Sequence, residues 1–139
     1  MSADNSAVKT GDPAIPDIAL PDGTTLNIEA AVAPHCYTLV PDVMDAEQMR
    51  FMHVPAYRDV ATAMHFLGSL TDRTGAGRSW LLRVDQSVVG WVSLFNVEHD
   101  MRELGYFVRA RDGGRGIATA AARWATRHAH AELGVRRLH

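Results

Sequence analysis

Apolar positions change their spacing along this chain, and the changes mark its elements. TTLNIEA (24–30) alternates, with Leu26 and Ile28 on one side, which predicts a short strand. From Ala31 to Leu70 the spacing turns helical but is broken. Pro34 suits a first helical turn, while Pro41 and Pro55 divide the stretch into two or three short helices. The clearest is 56–70, where Val60, Ala63, Met64 and Leu67 recur at helical spacing ahead of Gly68. Turn formers fill 71–79. SWLLRV (79–84) and VVGWVSLFNV (88–97) then read as well-buried antiparallel strands joined at Asp85–Gln86, and MRELGYFV (101–108) as a third strand. The stretch 116–133 is the strongest helix: Ile117, Ala120, Ala121, Trp124 and Ala125 form one stripe, arginines the other, and Gly134 stands where a cap belongs. VRRLH (135–139) begins like a further strand. Strand, helices, three antiparallel strands, helix, start of a strand: this order is α+β and lacks the alternation of a doubly wound sheet.

The segment ahead of this pattern, residues 1–23, carries Pro13, Pro16 and Pro21 among polar residues. It predicts a flexible leader ending in a turn at Asp22-Gly23, with no basic-then-apolar signal pattern, and leaves 24–139 as one domain. A length of 139 residues is enough for one core and too short for two. The net charge of −2 argues against a dedicated nucleic-acid binder. Apolar runs fall far short of the roughly 20 residues of a membrane span. Cys36 is the single cysteine, so no disulfide within the chain is possible; a buried position and a cytoplasmic setting fit it. Seven histidines invite a metal, yet His128 and His130 diverge on a helix and His35, His53 and His65 lack ligand spacing, so no metal is expected. Trp80, Trp91, Trp124 and Tyr106 read as core residues.

One stretch remains unexplained by packing. RDGGRG (111–116) has three glycines in four positions between a strand and the start of the strongest helix. Helix N-termini leave several N–H groups without partners at the positive end of the dipole, and glycine lets backbone approach an anion closely. A phosphate is the natural guest. A turn shaped by glycine for geometry alone is the alternative. A Walker A loop is excluded, since no G-x-x-x-x-G-K-[ST] occurs. A dinucleotide fingerprint is excluded too, because the preceding strands are antiparallel and few residues follow the helix.

The motif, the preceding ELGYFV and the order of elements from about Leu20 to His139 resemble the GNAT family of N-acetyltransferases, nearest to its RimJ/RimL type. The hexapeptide fits the family signature [Q/R]-x-x-G-x-[G/A]. The resemblance implies a mixed, mostly antiparallel sheet flanked by helices, and acetyl-CoA as co-substrate. Its pyrophosphate would lie on the backbone of Arg111, Asp112, Gly113, Gly114, Arg115, Gly116, Ile117 and Ala118, with Arg111 and Arg115 able to add charge. Its pantetheine would pair with backbone around Phe107 and Val108, where an N–H can polarise the thioester carbonyl. A primary amine, at a protein N-terminus or on a small molecule, would attack the thioester directly in a ternary complex. Glu103 is the first candidate for the base that takes the ammonium proton, against a structural role bonded to Arg102 or backbone. Asn96, Glu98 and His99 are candidates for shaping the acceptor site.

The sequence departs from the family pattern after RRLH. Family members continue with a full fifth strand, a helix and further strands that carry additional cofactor contacts, and those positions have no equivalent in 1–139. The expectation is a sheet lacking these C-terminal elements, with the edge at Met101–Val108 open. Either another chain covers it, by dimerisation or strand exchange, or the chain is a fragment or shortened form, which is the favoured reading. Two functions follow: an acetyltransferase, or a shortened, non-catalytic module that binds CoA or a partner chain without turnover.

Overall fold

A computed structural model describes residues 15, 17–50, 52, 55–72, 77–98, 101–132 and 137–138. Six strands form one sheet in chain order: β1 (Ile18–Ala19), β2 (Thr25–Ala30), β3 (Arg78–Val84), β4 (Ser87–Glu98), β5 (Met101–Val108) and β6 (Arg137–Leu138). All neighbours are antiparallel except β5 and β6, which run parallel. Between β2 and β3 the prolines leave short pieces: α1 (Ala33–Cys36), a 3-10 turn (Tyr37–Leu39), α2 (Val40–Val43) and α3 (Ala46–Met49), followed by α4 (Val60–Ser69). Asp45 and Asp59 cap α3 and α4, accepting from Glu47 N–H and Thr62 N–H. After β5 comes a 3-10 turn (Ala110–Asp112) and then α5 (Ile117–Glu132). The architecture is α+β, as its element order predicts.

Side-chain alternation on the central strands builds two cores, one on each face. Leu26, Ile28, Trp80, Leu82, Val92 and Leu94 meet Ile117, Ala121, Ala125 and Ala129 of α5. On the opposite face Leu81, Trp91 and Phe107 meet Cys36, Leu39, Val43, Ala63 and Leu67 from the short helices. The apolar stripe of α5 and the burial of Cys36 therefore follow the sequence pattern. Burial pushes the Cys36 thiol up to about 11, with the Glu29 carboxylate adding to the shift. Trp80 stands edge-on to Trp124 at 4.9 Å, and Trp91 stacks on Phe107 at 4.7 Å.

The structure differs from expectation in three places. The expected leader joins the sheet before residue 24: Ile18 and Ala19 pair with Leu26 and Thr25, and Leu20 is buried under α5. Pro21 follows this strand instead of interrupting it, so it costs no ladder hydrogen bond. The turn at Asp22-Gly23 is present, with Gly23 at φ +89°. The edge of β5 is also not wholly bare, because β6 pairs with Met101 and Arg102. From Glu103 to Val108 that edge has no strand partner among the described residues. Third, Tyr106 is no core residue: it is 48% exposed, on the stretch of β5 that β6 does not reach.

Candidate functional site

The glycine loop leaves an unusual set of backbone groups unused. Asp112 N–H donates to the Arg109 carbonyl and Gly113 N–H to that of Ala110, closing the 3-10 turn. The next N–H bonded outside the helix ladder is that of Ala120, which donates to Gly116. The N–H groups of Gly114, Arg115, Gly116, Ile117, Ala118 and Thr119 have no protein acceptor among the described residues. Gly114 and Gly116 sit at φ +79° and +83°, where other residues are strained. Two such reversals within three residues, ahead of the 16 residues of α5, are a backbone form in which successive amides can face one anion. Dipole and orphan donors together are what an anion site requires, and we call the loop the cradle for that reason.

The cradle's arginines are engaged elsewhere. Arg115 donates to Asp22 at 2.9 Å and Thr24 Oγ1 at 3.1 Å, and its guanidinium lies 3.4 Å from Asp112 and 3.7 Å from Asp85. Arg109 pairs with the buried Asp112 at 2.7 Å. Arg111 reaches the buried Asp42 at 3.4 Å, and Gln48 donates to Asp42 while accepting from Ala110 N–H at 2.6 Å. Arg111 and Arg115 thus serve first to hold the loop: Arg115 against the leader turn and the β3–β4 turn, Arg111 with Gln48 against α2 and α3. The attraction for an anion rests on the amides.

Asp22 carries a measurable signature of this clamp. Hydrogen bonds from the Thr24 hydroxyl and Thr24 N–H, and then Arg115, hold its carboxyl at about 2. A depressed carboxylate contributes stability that is full above its ordinary value of 3.8 and is lost as pH falls toward 2. An NMR titration of Asp22 is expected to show that low midpoint. Thr24→Val should raise it toward the ordinary value, and an unmoved midpoint would contradict the hydroxyl as its main cause.

Beside the cradle, β5 presents one free edge. The Phe107 carbonyl is directed at β4, lying against Gly90, and Arg109 N–H donates to Val89. By alternation the backbone groups of Val108, Tyr106 and Leu104 face away from β4, while those of Phe107 do not. Glu103 is exposed and shares a sheet face with Gly105 and Phe107, opposite Phe95 in the register. Asn96 and Glu98 lie on β4 opposite Arg102 and Met101, across an irregularity in the pairing. His99 lies outside the described residues. Tyr106 lines a cavity of about 480 Å³ with Ala118, Ala122 and Arg123 of α5. A second cavity, about 660 Å³, lies between the leader strand and α5 and reaches Gly116. Among the described residues no group of three or more His, Cys, Asp and Glu side chains is gathered as for a metal, and no helix is long and apolar enough to cross a membrane.

Sequence reasoning missed Asp22, Thr24, Asp42 and Gln48. The Asp-Gly-Thr turn is a local signal that could have flagged Asp22. Gln48 and Asp42 reach the loop from about 60 to 70 positions away, and no local pattern announces that.

Comparison with known proteins bears on the fold and the family. A family model described as an acetyltransferase (GNAT) domain matches residues 30–139. Mycobacterium smegmatis RimJ, solved in complex with CoA-disulfide, superposes with a TM-score of 0.71 at 19% identity, covering 88% of this chain and 64% of that one. The GNAT domain of S. lividans PAT gives 0.73 at 20% identity, covering 88% and 75%. Spermidine N-acetyltransferase from Vibrio cholerae, in complex with CoA and spermine, gives 0.69 at 15% identity, covering 81% and 68%. The chain thus spans just under two thirds of the RimJ structure's length. No curated protein sequence matches it. With the family model matching most of the chain, and the fold shared with several acetyltransferases, the protein belongs to the GNAT acetyltransferase family.

Proposed function

We propose that this chain binds acetyl-CoA and serves amine N-acetylation of the RimJ/RimL type. The observation that carries this reading is the run of six amides from Gly114 to Thr119 without protein acceptors, at the start of α5. Such a run suits a pyrophosphate, whose oxygens need several donors at once. The free edge of β5 adjoins it, and Val108, Tyr106 and Leu104 turn their backbone groups outward there, as an added strand of amide-bearing pantetheine requires. Acetyl-CoA supplies an acyl group already activated as a thioester, so the residues of the chain need only orient it and move a proton.

Glu103 is the proposed proton acceptor. Exposed near the start of β5, it takes a proton from the attacking ammonium, directly or through one water. The neutral amine then forms the N–C bond as the C–S bond breaks; the nitrogen gives up its second proton, and the departing thiolate takes it, directly or through water. An outward N–H of β5 at the thioester carbonyl stabilises the developing oxyanion. Phe107 contributes through its ring, which fixes Trp91 beneath the strand, and Val108 through its backbone.

Titration calorimetry tests the binding half: CoA is expected to bind one to one with micromolar affinity. Absence of binding in a sample with a cooperative melt would overturn the reading. Glu103→Gln is expected to leave CoA affinity unchanged and to lower thiol release from acetyl-CoA with an amine by about 10²-fold or more.

A further inference from the structure

On the sheet face that carries Glu103, a hollow of about 190 Å³ opens between the C-terminal half of α4 and the ends of β3 and β4. Phe66, Leu70, Trp91 and Phe95 form its walls. Ser79 lies at its base, its hydroxyl bonded to that of Ser93 at 2.7 Å and buried. Two of the aromatics are held in place, Phe66 edge-on to Trp91 at 5.5 Å and stacked on Tyr57 at 5.2 Å.

Phe95 is the anomaly. Every β4 residue from Val88 to Leu94 is buried, yet the Phe95 side chain is 49% exposed at the mouth of the hollow. Its ring lies over Gly105: a Cβ there would come within 2.8 Å of Phe95 Cε2. Gly105 thereby gives the ring its place. Phe95 also faces Glu103 in the register, so the hollow opens one strand away from that carboxylate. A large exposed aromatic beside an apolar recess is a surface that gains from being covered.

We propose that this hollow receives the apolar group carried by the amine acceptor, with the amine itself directed to Glu103; the inference rests on the acetyl-transfer reading above. The occupant's chemistry follows from the lining. The volume equals that of roughly six waters at ~30 Å³ each, room for one branched aliphatic or aromatic group and too little for a linked pair of sugar rings. The lining holds one acidic and one basic residue, Asp72 and Arg78, so beyond Glu103 it has no excess of carboxylates for a second ammonium. A primary amine bearing one short apolar or aromatic group fits, and a polycation does not.

The test compares phenethylamine, ethylamine and spermine on the CoA-saturated chain, by NMR shifts of the Trp91 indole and by competition. Phenethylamine is expected to bind at least tenfold tighter than either of the others. Phe95→Ala should lower that preference at least fivefold while leaving CoA affinity unchanged. Should that variant not fold, Phe95→Met, which keeps bulk and removes the ring, serves the same comparison. Equal binding of the three amines, or a preference that survives the loss of the Phe95 ring, overturns the inference while the CoA reading stands. Failure of CoA itself to bind overturns both.

Discussion

Gly90→Ala is expected to cost about 3 kcal/mol or more, the upper end of what overpacking does to a core. Gly90 pairs with Leu82 on one side and Val108 on the other, in the middle of the sheet. A Cβ there would penetrate the Phe107 carbonyl, lie 2.8 Å from its carbon and 3.0 Å from Val108 Cα. All three are backbone atoms, so no side-chain rotation can relieve the clash; β4 and β5 must separate. A domain this small has only about 5–15 kcal/mol to lose. Urea denaturation is the measurement, with Gly77→Ala as control. At Gly77 the nearest atom to a new Cβ is the Leu94 carbonyl oxygen at 3.4 Å, an ordinary contact. A change within about 1 kcal/mol is expected there. Equal effects at the two sites would contradict the packing described for β4 and β5.

The second large effect is on binding. Gly114→Trp is expected to lower CoA affinity by about 10²-fold or more while the chain still folds. The position has nothing within 4 Å of a Cβ, so the indole finds open space beside the proposed pyrophosphate site. The backbone at φ +79° costs a non-glycine residue about 1–2 kcal/mol, which lowers the melting temperature without unfolding the domain. The ring then stands over amides that a pyrophosphate would need. Calorimetry with CoA beside a thermal melt separates the two outcomes, and unchanged affinity would refute the loop assignment.

Local pattern carried much of this molecule. The strands β3 to β5 and helix α5 could be read because each buries a regular set of apolar side chains, and the hairpin because Asp85-Gln86 is the polar break between them. Even so, both turn residues adopt positive φ, 51° and 67°, where Asn-Gly would be the usual choice, so the turn type was not legible. Strand β1 was hidden by its prolines: composition marked the segment as loose, while its two-residue pairing and buried Leu20 depend on partners in β2 and α5. Tyr106 misled for a related reason. Alternation gives a face, but exposure depends on what lies over and beside it: Tyr106 borders a cavity against α5, and β6 flanks only the first two residues of β5. The glycine loop's backbone reversals at Gly114 and Gly116 were foreshadowed by glycine spacing at a helix start. Its ionic frame was not, because Arg115 and Asp22 are 93 positions apart.

That distance has a consequence for assembly. The carboxylates on Arg115 come from the leader turn, the β3–β4 turn and the loop itself, three segments that meet only when the sheet is complete. Contacts this distant in sequence raise the contact order, which slows folding of a small domain. The glycine loop therefore depends on the completed sheet for its shape, and an excised loop with its helix would lack the Asp22 and Asp85 carboxylates that hold Arg115. Ligand affinity of the loop and stability of the distant Asp22 turn are thereby coupled through one guanidinium.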